Sequence, residues 1–142
     1  MSNLANSITL VRAATGGVQS ITNGSEQQFV FDTVFDVSGD AFQMSNGGVR
    51  ILRDGLYDIN MQVSYYNVTI GRTDCIWYYL KAGGALTYVT RKMTGGTGFN
   101  FPSISMGMRL GLGDVIQMYT FQNQGGSQNT YGSDFLNVIE RK

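Results

Sequence analysis

At 142 residues the chain has the size of one domain, long enough to bury about two thirds of its unfolded surface in a single core. Ten basic residues balance ten acidic ones, charged residues make up only 14%, and the basic ones form no stripe, which argues against recognition of a phosphate backbone. Histidine is absent, cysteine occurs once and no window approaches about 20 apolar residues, which excludes Ser-His-Asp or Cys-His catalysis, an internal disulfide and a transmembrane helix.

Read from its start, the chain has a polar arm over 1–7 and then one domain over 8–142. The first residues carry neither a charged leader nor the apolar run of a signal peptide. With the single Cys75, this predicts synthesis in a reducing compartment. Strands are predicted from Ser7 to Arg12, Val18 to Thr22, Gln27 to Val37, Ala41 to Met44 and Gly48 to Leu52, parted by turn signals such as Asn46-Gly47-Gly48 and Asp54-Gly55. Next comes a clean period of two, with Tyr57, Ile59, Met61, Val63 and Tyr65 alternating with Asp58, Asn60, Gln62 and Ser64. That pattern is a strand with one face on a core and one polar face. Asp74 to Ala82 is apolar on both faces and Ala85 to Arg91 follows it. After the only proline, Pro102, a second period of two sets Ile104, Met106, Met108 and Leu110 against Ser103, Ser105, Gly107 and Arg109. Asp114 to Phe121 is again apolar on both faces, and Thr130 to Glu140 closes the series. Between the strands, 93–100 and 123–129 read as Gly-, Thr-, Gln- and Asn-rich surface loops, where binding residues are often placed. No segment of ten residues has a helical period. Short strands with 19 glycines leave an all-β sandwich or a closed barrel.

Few residues invite chemistry. Cys75 beside Ile76 and Trp77 reads as inert strand packing. Asp32, Asp36 and Asp40 recur every fourth position, but on a strand they stand about 13 Å apart, too far to share one cation. Gly95-Gly96-Thr97-Gly98 lacks the ending of a phosphate loop. No catalytic residue, cofactor or metal is expected, and the chain is read as not an enzyme.

Three places resemble a known family. Gly55-Leu56-Tyr57 is similar to a Gly-x-Tyr motif opening a central strand, Leu112-Gly113-Asp114-Val115-Ile116 to a Gly-Asp turn before a penultimate strand, and Thr130-Tyr131-Gly132 through Phe135-Leu136 to the last strand. In order and spacing they resemble the tumour-necrosis-factor-like superfamily, which includes complement-type globular heads and bacterial and phage relatives. The resemblance implies a jelly-roll sandwich of about ten antiparallel strands that forms trimers. Without a collagen-like repeat, disulfide or export signal, a receptor-ligand or complement role does not carry over, and the bare, Met- and Gln-rich knob looks more like a bacteriophage virion protein.

The double-faced strands then have a purpose, since leaving their aromatic rings exposed on a monomer is costly. Tyr65, Tyr66, Trp77, Tyr79, Met118, Phe121 and Tyr131 are predicted to pack between subunits of a homotrimer. Gly95, Thr97, Phe99, Asn123, Gln124 and Gln128 are predicted to meet a partner. The leading expectation is a virion-located capsid decoration, or cement, protein whose partner is the major capsid protein or another virion protein, with no nucleic acid and no membrane. The alternative is a receptor-binding knob or tail-fibre tip that recognises a host glycan.

Overall fold

The computed structural model describes residues 6–22, 24–25, 27–68, 74–82, 85–94, 98–100, 103–122, 126–130 and 132–141. The strands, in chain order, are β1 (Ser7–Val11), β2 (Ser20–Ile21), β3 (Gln27–Gln28), β4 (Thr33–Ser38), β5 (Phe42–Ser45), β6 (Gly48–Ile51), β7 (Gly55–Gln62), β8 (Tyr65–Val68), β9 (Asp74–Ala82), β10 (Ala85–Thr94), β11 (Gly98–Asn100), β12 (Ser103–Leu110), β13 (Val115–Gln122), β14 (Gln128–Asn129) and β15 (Phe135–Glu140). One sheet runs β12-β7-β15-β1-β4. The other runs β10-β9-β13-β6-β5, with β3 also on β13. All pairings are antiparallel, and the short pairs β11-β8 and β14-β2 complete a sandwich of the class the sequence predicts.

The layers follow from alternation. Along β7, Tyr57, Ile59 and Met61 are buried while Asp58, Asn60 and Gln62 are only half-buried, and β1 and β15 repeat the pattern with Ile8, Leu10, Leu136 and Val138 inward. From the facing sheet come Val49, Ile51, Ile116 and Met118. Aromatic pairs fill the space between. Phe29 and Phe31 stand 4.9 Å apart, and Phe42 meets Tyr57 edge-on at 5.6 Å. Burying each such ring contributes about 2–3 kcal/mol. Tyr57 reaches the rim of the core, where its hydroxyl donates to the Arg53 carbonyl at 2.6 Å.

Two sequence expectations change. The predicted continuous strand from Gln27 to Val37 is broken at Phe29–Asp32, because the chain crosses there from one layer to the other: β3 pairs with β13, and β4 pairs with β1. Both rings of the crossing are buried, and the Asp32 carboxylate fixes its end by accepting from the Ala13 and Ala14 N–H groups at 2.7 and 3.0 Å. Those bonds, with the one from the Thr33 hydroxyl, hold the Asp32 carboxyl below the usual carboxylate range. The predicted surface segment 93–100 belongs in part to strands, since β10 extends to Thr94 and β11 begins at Gly98. Asn46-Gly47 forms the expected hairpin turn, with φ of 52° and 75°, the left-handed pair of a type I′ connection.

Candidate functional site

On the five-stranded sheet, the face turned away from the core carries a row of polar side chains in cross-strand register. Ser105 of β12 lies opposite Asn60 of β7, Asn60 opposite Asn137 of β15, Asn137 opposite Thr9 of β1, and Thr9 opposite Asp36 of β4. Opposite residues in an antiparallel pair share a face and sit within side-chain reach. A chain of hydrogen bonds results. The Ser105 hydroxyl donates to Asn60 Oδ1 at 2.6 Å, Asn60 Nδ2 donates to Asn137 Oδ1 at 3.0 Å, and Asn137 Nδ2 donates to Thr9 Oγ1 at 3.0 Å and the Ile8 carbonyl at 3.2 Å.

Phe135 and Ile139, both half-buried, flank Asn137 on the same face, and Leu56 stands exposed further along β7. A shallow concavity of about 350 Å³ opens beside the row, lined by Asn60, Met61, Gln62, Ser103, Ser105 and Phe135. At the other end Arg141 clasps Asp58 with two bonds of 2.6 and 3.2 Å and lies over Gly107, where a Cβ would come within 2.5 Å of its guanidinium. The face is therefore amide and hydroxyl in its middle, apolar on either side and closed by an ion pair.

The predicted interface residues distribute differently. Tyr65 is sealed inside the subunit, its hydroxyl 2.6 Å from that of Thr120, and Met118 is fully buried on the inward face of β13. Neither has surface to offer a neighbour, which corrects both assignments. The reason is register, since even-numbered positions of β13 point at the core and Tyr65 lies over Thr120 there. Phe121 stands half-buried on the opposite face of β13, beside Tyr119. Tyr66 lies on β8, and Trp77 and Tyr79 on β9, but their side chains and the whole of Tyr131 fall outside the described residues. Among the partner-binding positions, Phe99 lies on β11 and Gln128 on β14, while Gly95, Thr97, Asn123 and Gln124 fall outside the described residues.

A second polar cluster, missed in the sequence, is buried at the end of β7. Asp134 accepts from the Ser64 N–H at 2.7 Å and the Ser64 hydroxyl at 3.0 Å through one oxygen, while its Oδ2 has no partner at hydrogen-bonding distance. Burial pushes this carboxyl up to about 6, with the Ser64 donors, the Gly132 N–H and the Thr130 hydroxyl offsetting part of the rise. Among the described residues, no group of three or more acidic or cysteine side chains could hold a metal ion.

Neither a protein-family model nor a curated protein sequence matches the chain. Solved structures do. The chain superposes on murine APRIL at pH 5.0 with a TM-score of 0.77 and 15% identity, covering 97% of this chain and 100% of that one. Eiger TNF from S. frugiperda gives 0.72 at 10% identity over 97% and 93%, and the globular domain of a zebrafish complement 1qA protein gives 0.68 at 13% identity over 98% of both chains. The fold is thus the tumour-necrosis-factor-like and complement-head-like jelly roll that the three sequence motifs resemble.

Proposed function

We propose that the chain is a non-enzymatic assembly module that works as a homotrimer, with the outward face of the five-stranded sheet as the contact between subunits. The observation that carries this reading is the Ser105-Asn60-Asn137-Thr9 row. Covering a polar group without a partner costs about 1–3 kcal/mol, and here the amides already have partners inside their own subunit. A neighbour can therefore displace water from this face without stranding them, while Phe135, Ile139 and Leu56 supply the apolar area that favours contact. The threefold arrangement is what the family resemblance implies.

Within that reading, the trimer is a virion protein that decorates a capsid shell and meets the major capsid protein. A chain with zero net charge, no histidine and an amide-rich surface supports a role in docking over one in chemistry or nucleic-acid binding. Binding only the assembled shell, it would stabilise that state by linkage.

Light scattering on the whole chain should give a three-chain mass at micromolar concentration, and a one-chain mass would overturn the assembly. Asn137→Ala opens the row at its centre. It is expected to weaken the trimer by about 1–3 kcal/mol while circular dichroism still reports a folded sandwich. For the virion role, particles lacking the protein should release their DNA at a lower temperature, and unchanged heat resistance would count against it.

A further inference from the structure

We propose that β4 pairs antiparallel with β4 of a second copy across a twofold axis, a contact separate from the threefold one. β4 is the end strand of its sheet and is paired along one edge only, to β1, among the described residues. A free edge presents backbone donors and acceptors that only another extended strand can satisfy in series. β5, the end strand of the facing sheet, touches β1, so the two end strands bound the same open rim.

This rim is apolar and exposed. Phe35 is 73% exposed, Val37 49% and Val34 39%, with Met44 of β5 at 37%. A bulge brings the valines together. Val34 pairs with Leu10 and Asp36 with Thr9, leaving Phe35 as the extra residue, and Val37 pairs with Ile8. Residues three apart on a regular strand point to opposite faces, but the extra residue turns Val34 and Val37 both to the side of the buried Ile8 and Leu10.

The occupant follows from the strand's own sequence, Thr-Val-Phe-Asp-Val-Ser over Thr33–Ser38. Turned end over end about the midpoint between Phe35 and Asp36, it sets Thr33 against Ser38, Val34 against Val37, and Phe35 against Asp36. Hydroxyl then faces hydroxyl and valine faces valine. Moving the midpoint by half a residue one way sets Asp36 against its own copy, and the other way sets Asp36 against Val34. Of these three registers the central one alone sets Asp36 neither against its own copy nor against a valine. A six-residue edge covers less than the roughly 1,600 Å² of a standard interface, so the pair is weak for single subunits and is strengthened when several edges engage together.

Sedimentation velocity on the whole chain, from about 1 μM to about 1 mM, tests this. The mass of the base unit, whether one chain or three, should double as concentration rises. Val34→Lys or Val37→Glu alone should abolish the doubling, each change occurring twice per contact by symmetry. Combined in one chain they set opposite charges across both positions, so doubling should return and become sensitive to salt. Absence of doubling in the unaltered chain, or doubling that persists in folded single variants, overturns the proposal, as does a folded double variant that fails to restore it. A single chain that doubles would defeat the threefold reading and leave this one standing, while a trimer that never doubles would do the reverse.

Discussion

Asp134 receives two bonds from Ser64 on one oxygen while the other lies buried without a partner, so this carboxyl favours its protonated form in the folded chain. Its folded value of about 6 lies above the ordinary 3.8. The folded state therefore binds the proton more tightly than the unfolded chain, and the stability linked to this group is fully present below about pH 4 and lost as pH rises through 6. The size is on the order of 3 kcal/mol. Asp32 is shifted the other way, so its loss of stability falls below the usual carboxylate range. Urea unfolding should accordingly show a more stable protein at pH 4.5 than at pH 7.5. Asp134→Asn should flatten that difference and stabilise the chain at pH 7.5 by about 1–2 kcal/mol. A variant with the same pH slope as the parent would show that the buried carboxyl is not its source.

At the scale of the element, β6 lies close against β13 at Gly48, where a Cβ would stand 2.0 Å from the Ile116 carbonyl oxygen. Backbone cannot retreat from that contact without breaking the pairing of Val49 with Ile116. Gly48→Ala is expected to cost about 1–3 kcal/mol or more, visible as a lower denaturation midpoint at unchanged slope. The strands themselves were legible because period two is a local signal. β7 was found with the correct inward residues and β9 with both bounds, while on β12 Leu110 is buried as expected and Met106 is exposed. The amide row was not legible as a site, although Asn60 and Ser105 were assigned to a polar face. Asn60 and Asn137 are 77 positions apart, Asn137 and Thr9 128, and no charge or metal-ligand spacing announces such a set. Met118 misled because a thioether in a strand that is apolar on both faces reads the same whether it points inward or outward, and only the register across the sandwich places it inside. Tyr65 already stood on the core face of the period-two pattern, and the structure keeps it there.

At the scale of the whole molecule, a chain with as many acidic as basic residues has no net self-repulsion to hold copies apart. Association is then governed by which faces can be dried without stranding polar groups, and by which edges remain open. The pairing of β1 with β15 has a separate result. Ser7 lies opposite Ile139, and the Glu140 N–H donates to the Asn6 carbonyl at 2.8 Å, with the Arg53-Glu140 ion pair beside them. The chain thus enters and leaves the sandwich at one corner, and its path is nearly a ring. Bridging that corner with a few flexible residues and cutting the backbone at an exposed turn elsewhere should give a circular permutant with the parent's melting behaviour. Failure to fold would mean that the order in which the strands are laid down, and not only their final neighbours, is needed to build the domain.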